Sequence, residues 1–434
     1  MPPRGTADLA IVGAGPAGLS AAIEAAAHGL TVVVFDEHPT PGGAVWRDAK
    51  DDDGDATIRR FHAAGVALHT RAAVTGIEPG RRVFWRDDAG AHQTAAALVL
   101  LATGAVERMM PLPGWTLPGV MALGVARDDP AHGHGGAVWI AGQGPLVLMH
   151  VAETVQAGGS IAGVLDVSAP GAWRRALPHL PAALRDLPAL RRGVQWRRTI
   201  TEAKVPWFRV SDIRAEGGVR LDNVSFSVDG AWRTEHADTL LLHDGIIPRV
   251  QITGALGCAH RWNATGRYWE PVTNEWGETS VAGVSIAGDG AGTGGPDVAA
   301  LSGRIAALGA AAALGRLDSA ACGRLAAPLL ASRARGLMIR PLLDAVYAPR
   351  ASRLDDSVIV CPRQGITAAQ IRLAARTGGP PPHGFDVCPG TEPCPYPDHQ
   401  CATAAVLVRA EALGVPVPGI APFPPRSDDG DTRV

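Results

Sequence analysis

The sequence predicts an α/β fold built on two nucleotide-binding-type βαβ units, followed by a small cysteine-bearing C-terminal segment. Three observations predict it. A short apolar strand, Leu9–Val12, runs into GAGPAG and an alanine-rich helix to about His28, then into a second strand, Thr31–Phe35, ending at Asp36. A weaker copy begins at Ala137, with strand AVWIA, the turn GQGPLV, an apolar helix through about Gln156 and strand SIAGVL ending at Asp166. Beyond about Pro328 proline, cysteine and arginine rise, and Cys361, Cys388, Cys394 and Cys401 fall within this stretch.

Each element has a local reason. Gly13, Gly15 and Gly18 form G-x-G-x-x-G directly after a strand and at the mouth of a helix. The first glycine permits a tight turn, the second lets the backbone approach a pyrophosphate, and the third allows close helix–strand packing. The helix N-terminus then stabilises the phosphate charge. Asp36 stands eighteen residues past Gly18, where a carboxylate binds ribose hydroxyls. Between and after the two units lie strand-like segments at Val83–Arg86, Ala97–Ala102, Val219–Val228, Thr239–Leu242 and Val284–Ala287, and a nearly continuous Ala/Leu helix from Asp297 to about Leu314. The last residues, PFPPRSDDGDTRV, have the composition of a disordered tail.

Two further segments distinguish a flavin from a nicotinamide dinucleotide. Pro41–Gly43 (PGG) follows Asp36 closely, and IAGDGAGTGGPDVAALSGRIAA spans Ile286–Ala307. Asp289, after a strand end and Gly288, is placed to hold the ribityl and phosphate side of FAD. The helix after Gly295 aims its positive end at the isoalloxazine.

Composition bounds the rest. The chain has 434 residues, 46% apolar and 19% charged, with net charge −2, which suits a globular protein of two or three domains. That balance gives no overall electrostatic footprint for nucleic acid or an anionic membrane. No signal-peptide core and no apolar run long enough to span a bilayer is present, so a cytoplasmic protein with reduced thiols is expected. Residues 38–60 and 131–160 contain no cysteine, which argues against a dithiol oxidoreductase. Cys258 and Cys322 stand singly in alanine-rich surroundings and read as packed core thiols. His243, in LLHDG, reads either as a satisfied core histidine or as a group near the flavin.

GAGPAG, LLATGAVER (Leu100–Arg108) and AGDGAG resemble the two-dinucleotide-binding-domain flavoproteins. Within them, LATGAVERMMPLPGWTLPGVM (Leu101–Met121) and DTLLLHDGIIPRVQITGALGCAH (Asp238–His260) resemble the FAD-containing α subunits of heteromeric amino-acid dehydrogenases. That group includes opine oxidase, hydroxyproline and proline dehydrogenase, hydrogen cyanide synthase and a sarcosine oxidase subunit. The resemblance covers about residues 8 to 405. It implies FAD contacts at Gly13, Gly15, Pro16, Ala17 and Gly18, at Asp36 and Glu37, at Gly43, Thr103 and Gly104, and at Gly288, Asp289 and Gly295.

The resemblance also implies a discontinuous FAD domain, residues 1–125 and 241–328, with a second Rossmann-like domain of residues 126–240 inserted in it. A small cluster-binding-like domain, 329–410, and a flexible tail, 411–434, would complete the chain. In that family the C-terminal module opens with C-x-C and closes with a GPC…C segment. Here Cys361 takes the first ligand position and Arg363 the second, while Cys394 and Cys401 match the closing segment and Cys388 is additional. A [2Fe–2S] centre, zinc, or a remnant without metal are the alternatives for these four thiols.

In the second unit Val147 replaces the third glycine. NAD, an adenine nucleotide, or no ligand remain open there. The implied function is electron relay through FAD, with two partners: an amino-acid-oxidase-like, FAD-dependent β subunit plus a small ferredoxin-like subunit. Any inner-membrane association would be made through those partners. The competing readings are a self-sufficient NAD(P)H-dependent FAD reductase and a cofactor-poor scaffold subunit.

Overall fold

The computed structural model describes residues 6–47, 52–78, 80–128, 136–349, 354–377 and 401–417. The fold is mixed α/β. Its first sheet has seven strands. In spatial order they run Ala67–His69, Val32–Phe35, Thr6–Val12, Gly90–Leu101, Arg82–Asp87 and Ala73–Ile77, with Val284–Ile286 pairing beside Gly90–Leu101. The long Gly90–Leu101 strand serves two purposes. Its first half pairs antiparallel with Arg82–Asp87, and its second half, ALVLL, pairs parallel with Thr6–Val12 and with Val284–Ile286. Unbroken apolar runs such as VVVF and ALVLL suit parallel strands covered on both faces. Ile11, Val34, Leu100 and Leu101 are accordingly fully buried.

Register fixes where function can sit. Val12 is level with Phe35 and with Leu101, and Leu101 is level with Ile286. The residues that follow these four strands, Gly13, Asp36, Ala102 and Ala287, therefore emerge side by side at one carboxyl edge, where open α/β sheets bind ligands.

Two alanine-rich helices, Pro16–Ala27 and Pro296–Ala313, pack together over this sheet. They approach so closely that a Cβ on Gly303 would stand 2.0 Å from the Ala17 carbonyl oxygen. Small residues on both, including Ala21, Ala25, Ala306 and Ala307, make that approach possible.

Between Ala105–Glu107 and Ile246–Pro248, which pair with each other antiparallel, the chain builds a second sheet. Its order is Trp207–Arg209, Gly163–Asp166, Val138–Gly142, Thr239–His243, Val120–Ala122, every pairing parallel. A three-stranded antiparallel meander, Ile213–Glu216, Asn223–Val228 and Ala231–His236, stands beside it.

The strand expected from Val219 begins only at Asn223. Gly217 and Arg220 close a turn too tight for a Cβ at position 217, and Val219 at its tip is 91% exposed. Of the proposed domain limits, 125/126 falls in the helix Leu123–Asp128, 240/241 in the strand Thr239–His243, and 328/329 in the helix Ser319–Gly336. Pro328 lies inside that last helix and does not end it. The PFPPRSDDGDTRV tail lies outside the described residues.

Cys258 and Cys322 are buried in apolar clusters, as packed thiols should be. The Cys322 thiol donates to the Leu308 carbonyl at 3.5 Å, and burial raises its pKa. Among the described residues no helix is long and apolar enough to cross a membrane.

Candidate functional site

The carboxyl edge of the first sheet is shaped by glycines that no other residue can replace in place. Gly13 turns at φ 105°, and a Cβ there would lie 2.3 Å from the Ala102 carbonyl oxygen. A Cβ on Gly18 would lie 1.9 Å from the Gly13 carbonyl oxygen. The PGG loop closes over the first loop: the Gly42 N–H donates to Ala14 O at 2.8 Å, and a Cβ on Gly43 would stand 2.8 Å from Gly15 Cα. Pro16 occupies the first turn of the helix, where its missing N–H costs nothing. Ala17 points the other way and packs against Gly288 and the Pro296–Ala313 helix.

Two carboxylates flank this cradle. Asp36 is buried, its Oδ2 accepting the Ala14 N–H at 2.6 Å and its Oδ1 the His38 N–H at 2.8 Å. A carboxylate has about four acceptor positions, so each oxygen keeps capacity for a ribose hydroxyl. Asp289 Oδ1 accepts the N–H groups of Gly294 at 2.8 Å and Gly295 at 3.1 Å, which orders the turn that opens the Pro296–Ala313 helix. Burial raises the Asp289 pKa, opposed by those two N–H groups and by Arg340.

Gly104, at φ 72°, has open space where a Cβ would point, and its carbonyl accepts the Arg249 N–H at 3.1 Å. Thr103 is half-buried beside it. Glu37 is half exposed and meets the Arg249 guanidinium at 3.1 Å, tying the end of Val32–Phe35 to the segment after Ile246–Pro248.

A loop that admits backbone approach, a buried carboxylate beside it and a helix N-terminus opposite are the features a flavin dinucleotide requires. The residues present fit FAD.

His243 is buried and belongs to the second sheet. It ends a strand of the second sheet, level with Gly142, and its Nε2 lies 3.9 Å from where a Cβ of residue 144 would be. Its Nδ1 meets Glu107 Oε1 at 2.5 Å, and Glu107 Oε2 accepts the Gly124 N–H at 2.6 Å. Next to this pair, the Arg108 guanidinium is buried. It donates to the carbonyls of Asp244 at 3.2 Å, Arg267 at 2.9 Å and Gly266, and lies 3.9 Å from the Asp244 carboxylate. Asp244 in turn accepts Gln143 Nε2 at 2.8 Å. Burial pushes the Asp244 pKa up and the Arg108 pKa down, so the pair at 3.9 Å offsets only part of the cost of desolvation.

Sequence reading missed this network because its central pairs, Glu107–His243 and Arg108–Asp244, each lie 136 positions apart. The available signal was that ATGAVER and LLHDG each follow a buried strand.

The second glycine loop opens on a cavity of about 240 Å³, lined in part by Gly144, Val147, Asp166, Arg197, Trp207 and Tyr347. Val147 is buried in the core beneath it. Both Asp166 oxygens are engaged, by the Ser168 N–H at 2.8 Å and by Trp207 Nε1 at 3.2 Å.

The A subunit of opine oxidase from Rhizobium meliloti (strain 1021) is 35% identical over 393 residues, covering 86% of this chain and 85% of that protein. The chain belongs to that family. Hydrogen cyanide synthase subunit HcnB of Pseudomonas aeruginosa is 33% identical over 329 residues, 69% of each chain. The pyridine nucleotide-disulphide oxidoreductase model matches residues 7–132. Among solved structures, L-proline dehydrogenase from P. horikoshii shares the fold, with TM-score 0.61 and 17% identity over 96% of this chain and 76% of that one. Opine oxidase relatives of this kind are by name subunits, and the chain is an FAD-dependent oxidoreductase.

Of the four C-terminal thiols, Cys361 is buried at the end of strand Ile359–Cys361. That strand is held to the second sheet's side of the molecule by Trp115 Nε1, which donates to Ile359 O at 2.7 Å. Cys401 opens the helix Cys401–Leu413, which packs on Ala368–Arg376. Cys388 and Cys394 lie outside the described residues. No group of three or more metal-ligating side chains occurs among the described residues.

Proposed function

We propose that this chain is the electron-relaying FAD subunit of a heteromeric dehydrogenase acting on an opine, amino acid or imino acid. The convergence of the Gly13–Gly18 loop, Asp36 and Asp289 on one sheet edge carries this reading, together with the likeness to the opine oxidase relative over most of both chains. FAD, when bound, takes up and gives back two electrons. Gly13, Gly15 and Gly18 hold the backbone open to the pyrophosphate, with Pro16 and Ala17 setting the helix start. Asp36 binds ribose hydroxyls, with Glu37 and its Arg249 partner beside it. Gly43, Thr103 and Gly104 line the approach, and Gly288, Asp289 and Gly295 hold the ribityl side and aim the helix N-terminus. Oxidation of the substrate C–N bond takes place in a partner β subunit resembling amino-acid oxidases, and a small ferredoxin-like chain completes the complex. The FAD domain would comprise residues 1–125 and 241–328, with 126–240 as the inserted Rossmann-like domain and 329–410 as the cysteine-bearing one.

Asp289 offers the sharpest check on the cofactor assignment. Asp289→Ala removes a charge-assisted contact worth roughly 1.5–3 kcal/mol, so FAD affinity falls about tenfold or more. Flavin-to-protein ratios after dialysis measure it, and full occupancy in the variant contradicts the assignment.

The four thiols Cys361, Cys388, Cys394 and Cys401 are the ligands of a metal centre, [2Fe–2S] rather than zinc. A thiolate set in a chain of this redox class suits a cluster, with Cys388 taking the position that Arg363 vacates. Protein purified without oxygen should hold about two irons and two sulfides per chain. Zinc at one per chain would make the site structural, and four freely titrating thiols would make it a remnant.

A second nucleotide, NAD or an adenine nucleotide, is supported by the cavity at Gly144, where Gln143 Oε1 is buried with no hydrogen-bond partner among the described residues. At about 240 Å³ the cavity falls short of the ~300–1,000 Å³ usual for ligand pockets. Each Asp166 oxygen accepts one hydrogen bond, as each Asp36 oxygen does, and so keeps capacity for a ribose hydroxyl. The small cavity weighs against productive hydride delivery by a nicotinamide, and therefore against the self-sufficient reductase.

A further inference from the structure

Between residues 172 and 187 the buried side chains are alanines and large apolar ones face outwards, the reverse of an ordinary surface helix, whereas the rest of the helical segment, to residue 202, is seated by Ile200 and Trp196. The segment runs as Ala172–Ala176, a 3-10 turn Leu177–His179, Leu180–Ala183 and Leu187–Glu202. Ala172, Ala176 and Ala183 are at most 6% exposed and seat it on the protein. Trp173, Leu177, Leu180, Leu184 and Leu187 follow one another at steps of four and three residues and are 39–58% exposed. Val194, further along, is 69% exposed. A single exposed leucine needs no explanation, but five large apolar side chains exposed within fifteen residues do.

Charge decides what covers them. Residues 171–204 hold eight arginines and lysines against Asp186 and Glu202, so the other 400 residues hold 32 basic and 40 acidic side chains. The net charge of −2 thus conceals a segment of +6 on a body of −8. Arg174, Arg175, Arg185, Arg191 and Arg192 are all exposed in the same segment. The Arg174 guanidinium stands 5.4 Å from the centroid of the Trp173 ring. A second copy of the chain docked on this face would bring two such segments within about a Debye length, ~8 Å, of each other. An anionic bilayer surface offers phosphates to the arginines and an apolar boundary to the leucines and Trp173.

We propose that this segment docks the chain directly on an anionic lipid surface. The docking face belongs to the chain's own surface and is independent of the identity of the substrate. The overall balance of −2 averages this local positive charge away, so composition alone gives no sign of it.

The test is flotation of the FAD-loaded full chain with phosphatidylcholine vesicles, with and without phosphatidylglycerol. The chain floats with the anionic vesicles only. Binding falls about tenfold or more in the triple variant Leu177→Ser, Leu180→Ser, Leu184→Ser, and likewise in Arg174→Gln, Arg175→Gln, Arg185→Gln. Because all six positions are exposed, flavin content and melting temperature stay unchanged in both. Absence of flotation on anionic vesicles overturns the proposal, as does undiminished binding by either variant. So does protection of a Leu184→Cys label by a partner protein instead of by lipid.

Discussion

Gly18→Ala should cost the chain its FAD. The new methyl would stand 1.9 Å from the Gly13 carbonyl oxygen and 3.0 Å from its carbonyl carbon, both backbone atoms. Gly13 cannot yield, because its own turn at φ 105° already presses towards the Ala102 carbonyl. The start of the Pro16–Ala27 helix must therefore swing away, which misdirects the N–H groups that receive the pyrophosphate. Overpacking of this kind destabilises by roughly 1–3 kcal/mol, and FAD content should fall about tenfold or more. Gly323→Ala is the control. It lies in the interior of the Ser319–Gly336 helix with nothing within 4 Å of its added methyl, and should stabilise by about 0.5–1 kcal/mol with full flavin. Equal FAD retention by Gly18→Ala and Gly323→Ala would contradict the cradle.

Arg108→Ala should be the most destabilising single change, at about 3–5 kcal/mol in urea unfolding. The arginine side chain is 9% exposed and satisfies three carbonyls, those of Asp244, Arg267 and Gly266. Its removal leaves those oxygens and the buried Asp244 carboxylate without their cation. Arg108→Lys should recover only part of the loss, since one ammonium cannot reproduce the planar fork that reaches three separate acceptors. A cost under about 1 kcal/mol for Arg108→Ala, the level of a surface ion pair, would refute the role assigned to it.

What could be read from the sequence follows from what is local. The Leu9–Val12 strand, its glycine loop and Asp36 lie within a single βαβ unit, and the structure places that unit as expected, to within a few residues at strand ends. Asp289 was legible for the same reason, being fixed by a strand before it and a helix after it. Val147 was recognised as a departure from the glycine pattern, and it packs into the core while the helix Pro145–Gln156 still forms.

The Glu107–His243 and Arg108–Asp244 contacts were not legible, because they depend on two distant strand ends meeting where the second sheet joins the first. For His243 the sequence left a satisfied core histidine and a group near the flavin open, and the structure shows it buried with Glu107 as its partner. Nor could composition show that Trp173, Leu177 and Leu184 face outwards. An apolar 3–4 stripe in sequence ordinarily marks the buried face, and here alanines take that place.

Anaerobic reduction of the chain purified alone tests the electron-relay role most directly. The protein should carry FAD, and its flavin absorbance should persist when an opine, an amino acid, an imino acid, NADH or NADPH is added, bleaching with substrate only once the partner β subunit is supplied. Rapid bleaching by NADH or NADPH would make the chain a self-sufficient reductase, bleaching by a C–N substrate without a partner would place substrate oxidation in this chain, and a colourless protein would contradict the flavin site itself.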